Sequence, residues 1–381
     1  MNKMNKIKIA VVIGTRPEAI KMAPVVKALE NSEHLAPIVV ATGQHREMLD
    51  QVFDIFSIEP DFDLNVMRPN QTLPALTARL ITSLDECIGQ IQPAAILVQG
   101  DTTSVLAASM VAFYHRIPIG HVEAGLRTGD MDNPFPEEMN RVLAGRLARW
   151  HFAPTVSSRN NLLIEGVAPD SIYVSGNTVI DALFDARRHP AKVPYQRSDK
   201  RRLMLVTTHR RENFGAPLGD ICAAIIRLLE ANPYLDILFP VHRNPNVSAP
   251  VREALGNHPR VTLCEPLDYL SFIAGMEAAD LILSDSGGVQ EEAPALGKPV
   301  LVLREETERP EAVSFGVAEL VGTNPDRIVR AVQKLLSDDS AYRAMARGSS
   351  PYGDGKAAAR IISVLESAFQ KIPESEVLAP L

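Results

Sequence analysis

KIAVVIGTRPEAIKMAPVVKALE, residues 8–30, holds a complete strand–turn–helix unit. Lys8–Ile13 is a short apolar, β-branched run of strand length. Gly14 ends it, Pro17 suits the first turn of a helix, and Glu18 favours a helix N-terminus. Glu18–Glu30 then has helical length and periodicity. The same alternation recurs along the chain. Further strands are expected at Ile38–Ala41, Ala95–Val98, Ile117–Val122, His151–Ala153 and Ile172–Val174, with a helix over Ser104–His115. It restarts with strands at Leu203–Val206, Asp236–Phe239, Val261–Leu263, Leu281–Ser284 and Val300–Leu303. Leu218, Ile221, Cys222, Ile225 and Leu229 repeat at helical spacing and should face a sheet. Strands alternating with helices mean parallel sheets covered on both faces.

At 381 residues the chain is longer than one core usually grows. The charged stretch Asp185–Arg202 has little apolar periodicity and suits an exposed linker. The expected architecture is α/β, two doubly wound Rossmann-like domains with a cleft between them. They are expected over residues 1–180 and 181–360, with 361–381 as a closing helix and tail packing back on the first domain.

Composition excludes several classes. With 39 basic against 46 acidic residues the net charge is -7, so no global basic field exists to hold nucleic acid. Aromatics, at 5%, are too scarce for a base-stacking platform. No stretch reaches the ~18 apolar residues of a membrane span. Residues 1–15 are basic and then apolar, but Lys8 interrupts the run and no small-residue cleavage site follows. Cys87, Cys222 and Cys264 lie far apart, as buried thiols in a reducing compartment do. The expectation is a cytoplasmic protein without nucleic-acid or membrane partners.

Ligands of such sheets bind beyond the carboxyl ends of the strands, so the residues that follow each strand carry the functional reading. Arg16 and Lys21 stand at a helix start, where the pattern fits an anion site and a plainly capped helix equally. In Ser284–Glu292, SDSGGVQEE, the amides of Ser286, Gly287 and Gly288 can grip a diphosphate. Glu292, about a turn further on, can accept two ribose hydroxyls, and Arg309 lies downstream. Asp101 and Glu123 follow strands, and Glu137 opens a helical pattern; each alone also suits a cap or salt bridge, but together they can form acid/base pairs. In Thr208–Asn213, THRREN, His209 can donate to a phosphoryl oxygen and Arg211 can clamp one.

Some patterns are missing. The chain has no G-x-G-x-x-G, which counts against a bound dinucleotide, and Gly353–Lys356 is an incomplete P-loop. Asp61-Phe-Asp63 and Asp130-Met-Asp132 match a D-x-D metal pattern, but neither follows a clear strand. Neither a cofactor nor a metal is expected.

GTRPEAIKMAPV (14–25), TGQHREMLDQV (42–52), QGDTTS (99–104), GHVEAGLRTGD (120–130), PEEMNR (136–141), GNTVIDAL (176–183), HRREN (209–213), SDSGGVQEEAPALGKPVLVLR (284–304), TERPEAV (307–313) and PYGDG (351–355) together resemble the non-hydrolysing UDP-N-acetylglucosamine 2-epimerases. The resemblance spans both expected domains. It implies the B-type glycosyltransferase fold, a homodimer, and no NAD or metal. It also implies that Arg16 and Lys21 face the diphosphate and sugar, that Ser286, Gly287, Gly288 and Arg309 bind the diphosphate, and that Glu292 takes the ribose. Leu267 and Phe272 fall where the family holds uracil; Leu267 replaces a residue that is polar in close relatives. Asp101, Glu123, Glu137 and His209 match the catalytic set. Gln44, Arg211 and His242 correspond to a site where some members bind a second substrate molecule as activator.

The implied reaction is reversible epimerisation at C2 of UDP-N-acetylglucosamine to UDP-N-acetylmannosamine. UDP leaves to give 2-acetamidoglucal and adds back after protonation of the other face. Which carboxylate is base and which acid stays open. So does the hydrolysing alternative, in which water traps the glucal and frees N-acetylmannosamine.

Overall fold

The computed structural model describes residues 6–43, 46–196 and 200–370. The chain forms two compact units, one holding residues up to Phe184 and from Tyr352 on, the other Asp185–Pro351. The first contains β1 (Ile7–Ile13), α1 (Arg16–Asn31), β2 (Leu35–Ala41), α2 (Arg46–Phe56), β3 (Phe62–Asp63), α3 (Leu73–Ile91), β4 (Ala95–Gln99), α4 (Thr103–Tyr114), β5 (Ile119–Val122), α5 (Glu137–Leu147), β6 (Trp150–Ala153), α6 (Val156–Ile164), β7 (Ile172–Val174) and most of α7 (Thr178–Ala186). The second contains β8 (Arg202–Thr207), α8 (Ala216–Ala231), β9 (Leu235–Pro240), α9 (Pro245–Leu255), β10 (Val261–Cys264), α10 (Tyr269–Ala278), β11 (Leu281–Ser284), α11 (Gly287–Glu292), β12 (Val300–Val302), α12 (Pro310–Ser314), β13 (Ala318–Leu320), α13 (Pro325–Ser337) and α14 (Asp339–Met345). Helix α15 (Ala357–Gln370) returns to the first unit.

Both sheets are parallel and doubly wound, in the orders β3-β2-β1-β4-β5-β6-β7 and β10-β9-β8-β11-β12-β13. Strand order reverses between β1 and β4 in the first sheet and between β8 and β11 in the second, and these switch points position the sites. Strands β4 and β9 are buried along their whole length because helices cover both faces, hence the apolar runs Ala95–Val98 in β4 and Ile237–Phe239 in β9. Leu218, Ile221, Cys222, Ile225 and Leu229 form the inward face of α8, as their spacing predicts. No helix among the described residues is long and apolar enough to cross a membrane.

Two strand readings change, and two short edge strands are added. Strand β5 begins at Ile119 rather than Ile117, since Pro118 has no N–H for the ladder and offers only its carbonyl, to Ile96. Strand β2 starts earlier, at Leu35, and runs through Pro37. The proline is tolerated because β3 pairs only with Val40 and Ala41, leaving that stretch as an edge. Edge strands β3 and β13 are two and three residues long, too short for any periodicity.

The return to the first unit comes at Tyr352, earlier than the boundary read near 360. Tyr352 is buried and its carbonyl accepts from Asn177 N–H. The Asp181 carboxylate accepts from the amides of Ala357 and Ala358 at the start of α15. Further along, Ser32 donates to Glu366, and Phe369 packs edge-on against Trp150.

Candidate active site

In the first unit the switch point lies beyond β1, β4 and β5. Gly14 follows β1 so closely packed on α4 that a Cβ there would lie 2.6 Å from Ser104 Oγ. Glu18 folds back to accept the amides of Gly14 and Thr15 in a capping box. Burial pushes its carboxyl up to about 7, against the opposing effect of these hydrogen bonds. Arg16, the first residue of α1, is half-buried. Lys21, one turn on, does not present a free ammonium: it pairs with Glu123.

Glu123 directly follows β5, and Asp101 lies two residues beyond β4, on adjacent strands paired Gln99 to Val122. The Glu123 backbone is left-handed, with φ 63°, a strained conformation for a residue with a side chain. Its buried carboxylate accepts from Lys21, from Gln99, and from Asn177 Nδ2 at 3.0 Å. Asp101 accepts from Arg141, whose other nitrogen pairs with Glu138 at 3.1 Å. Asn140 Nδ2 donates to the Asp101 carbonyl at 2.9 Å. His121 Nε2 donates to the Gly100 carbonyl at 2.7 Å, and burial holds its pKa down at about 4, so the ring is a neutral prop at neutral pH.

Glu137, half-buried, is the first residue of α5, while its neighbour Glu138 is buried and accepts the amides of Thr128 and Gly129. Gln99, Asn177, Arg141 and Glu138 were missed in the sequence reading. Gln99 had a signal in its place at a strand end; the other three lie inside the motifs GNTVIDAL and PEEMNR, which do not say whom they would meet.

In the second unit the switch point is built by the loops after β8 and β11. Asp285, fully buried beyond β11, holds the β8 loop: it accepts the amides of His209 and Arg210, Asn213 Nδ2 at 3.0 Å, and His209 Nδ1 at 3.0 Å. Burial pushes this carboxyl up, but the His209 hydrogen bond and charge, with the backbone amides, carry it below the usual range. Asp285 was passed over in the sequence reading because it stood inside the motif read for its glycines.

The reading of Ser286 changes in part. Its amide already donates to Ser284 Oγ at 3.0 Å, which leaves Gly287 and Gly288, whose amides the helix cannot pair. Cβ atoms at these glycines would meet nothing closer than 3.8 Å, and neither has a positive φ. The protein's own packing therefore gives no reason for glycine at either position.

Arg309 is not a free cation either. Its Nε pairs with buried Glu291, and the Cζ and NH2 lie 4.0 Å from a Cβ built on Gly287. Glu292 is buried and accepts from Tyr269 Oη at 3.0 Å. Leu267 and Phe272 are half-buried, Leu267 ahead of α10 and Phe272 on it. Arg211 and His242 are exposed, and Gln44 lies outside the described residues. Among the described residues no group of His, Cys, Asp and Glu is placed to hold a metal ion.

Two Rossmann-like sheets, one with strand-end carboxylates and the other with a phosphate-suited glycine loop, define a nucleotide-sugar enzyme of B-type glycosyltransferase architecture. The glycosyltransferase of kitacinnamycin, 14% identical with a TM-score of 0.68 over 97% of this chain and all of that one, shares this fold. The family model described as UDP-N-acetylglucosamine 2-epimerase matches residues 27–366. The Salmonella typhimurium UDP-N-acetylglucosamine 2-epimerase is 52% identical over 95% of this chain and 99% of its own. The Neisseria meningitidis UDP-GlcNAc 2-epimerase, solved bound to UDP-GlcNAc, is 45% identical with a TM-score of 0.86, over 94% of this chain and 99% of that one. This chain belongs to the UDP-N-acetylglucosamine 2-epimerase family.

Proposed function

We propose that the chain interconverts UDP-N-acetylglucosamine and UDP-N-acetylmannosamine by eliminating UDP and adding it back. The observation that carries this reading is Glu123, a buried carboxylate on a strained backbone at a strand end, fastened by Lys21, Gln99 and Asn177. The C2 proton is not next to a carbonyl, so it is removed as the C1–O bond breaks. The C2–H electron pair becomes the C1=C2 bond of 2-acetamidoglucal, and the C1–O pair leaves with UDP. A carboxylate then protonates the opposite face of C2 while a phosphate oxygen attacks C1. Asp101, Glu123 and Glu137 handle the proton; His209, Arg309, Arg16 and the amides of Gly287 and Gly288 take the diphosphate charge. Glu292 binds the ribose, and Leu267 and Phe272 the uracil. Exposed Arg211 and His242 fit a second nucleotide sugar as activator. The chemistry asks for no redox step, so NAD has no part in it, and the diphosphate charge is assigned to the protein's own donors.

Phe113 and Tyr114 at the end of α4 and Leu143 on α5, a helix that packs against α4, are exposed apolar side chains that support the homodimer reading, checked by sedimentation. The free, mostly buried cysteines fit a cytoplasmic setting.

An NMR time course with UDP-N-acetylglucosamine in heavy water tests the reaction. UDP-N-acetylmannosamine carrying deuterium at C2 is expected, because the proton passes through exchangeable carboxylates. Free N-acetylmannosamine with UDP would mean the hydrolysing reaction, and retained hydrogen at C2 would exclude this route.

A further inference from the structure

His209 is held from one side. Its Nδ1 lies 3.0 Å from Asp285 Oδ1, an ionised carboxylate, so Nδ1 carries a proton and donates it. The side chain is 45% exposed, leaving Nε2 as the nitrogen open to a ligand. The neighbouring charges are engaged elsewhere: Arg210 with Glu308, and Arg304 with Glu212 and Glu308. Arg211 is exposed. Asp285 is the carboxylate that reaches the ring among the described residues.

With Nδ1 committed as a donor, Nε2 can donate to a phosphate oxygen only if the ring carries both protons. We infer that Asp285 is a positioning residue that makes His209 meet the diphosphate as an imidazolium, supplying a positive charge along with a hydrogen bond. This rests on the proposed reading of His209 as a diphosphate ligand. The ion Asp285–imidazolium–diphosphate is a cation between two anions, and its hydrogen bonds are charge-assisted at both nitrogens.

The surroundings of Asp285 dictate what an amide would do there. The Oδ2 position receives three donors, the amides of His209 and Arg210 and the Asn213 Nδ2, each at 3.0 Å. In Asp285→Asn the amide oxygen must take that position, which turns the NH2 toward His209 Nδ1. Nδ1 then has to accept, the proton moves to Nε2, and the ring stays neutral. The variant keeps a donor for the phosphate and loses the charge.

The experiment uses ¹⁵N-histidine NMR of the UDP complex, with epimerisation rates for the wild type, Asp285→Asn, His209→Asn and the double variant. In the wild-type complex both His209 ring nitrogens are expected at protonated shifts, a readout that needs no variant to fold. In Asp285→Asn one is expected, with UDP affinity down on the order of tenfold and epimerisation down roughly a hundredfold or more. The same substitution is expected to cost little on top of His209→Asn. A single protonated nitrogen in the wild-type complex overturns the inference. So does an equal loss from Asp285→Asn in both backgrounds, which would make Asp285 only a brace for the loop. Failure of the wild type to bind UDP or to epimerise would instead overturn the underlying reading.

Discussion

At the residue scale, several side chains serve folding and binding together, and this alters what a substitution tests. Arg309 looks from sequence like a diphosphate clamp whose removal should weaken UDP alone. It also neutralises buried Glu291. Arg309→Ala is therefore expected to lose both UDP affinity, by ~1.5–3 kcal/mol, and thermal stability, because a buried carboxylate loses its guanidinium partner. Adding Glu291→Gln should recover the melting temperature without the affinity, which calorimetry and thermal unfolding can separate. Glu18 gives a pH signature. Its carboxyl ionises near 4.5 in the unfolded chain and about 7 in the fold. Between those values the folded state holds the extra proton, so this group's contribution makes stability fall as pH rises through the window, by about 3 kcal/mol in all. Glu18→Gln, which can still accept the Gly14 and Thr15 amides, should remove that slope and be the more stable protein above pH 7. Urea midpoints at pH 5 and 8 decide it; parallel profiles would mean that Glu18 does not titrate in this range.

At the scale of elements, the strand-to-helix turns divide into those the fold needs closed and those it leaves open. Gly125, after β5, has φ 89°, and a Cβ there would lie 2.2 Å from the Ser158 carbonyl oxygen. Gly287 has room for a Cβ and an ordinary backbone. The same change should then have opposite readouts. Gly125→Ala is expected to lower the melting temperature sharply, from left-handed strain of ~1–2 kcal/mol and a clash with backbone. Gly287→Ala should melt like the wild type while binding UDP more weakly. Unchanged UDP affinity in a folded Gly287→Ala protein would remove the glycine loop from the phosphate site.

At the scale of the molecule, the chain leaves the first unit after Phe184 and re-enters it at Tyr352, so α15 completes a core that the chain left over 160 residues earlier. Ile361 and Leu365 of that helix are fully buried. The protein's single tryptophan, Trp150, lies in the first unit and contacts Phe369. Ile361→Ala should destabilise the first unit by the ~2–5 kcal/mol typical of an emptied core site, read as a lower urea midpoint of Trp150 fluorescence. An unchanged midpoint would show α15 to be dispensable to that core.

The alternation of strands and helices, the inward face of α8 and the placing of Asp101, Glu123 and His209 at strand ends were legible in the sequence. Each of these follows from local periodicity and from where a parallel strand stops. The family was legible too, because its motifs lie within short runs of residues. What tertiary structure alone decided is which side chains meet. Asn177 and Lys21 reach Glu123 from 54 and 102 residues away, Arg141 reaches Asp101 across 40, and Asp285 captures His209 across 76. Edge strands β3 and β13 form only because a neighbouring strand offers them a ladder. Periodicity reports the face a residue shows to the core; its hydrogen-bond partner depends on how distant segments are brought together, and that information is not carried by any window of the sequence.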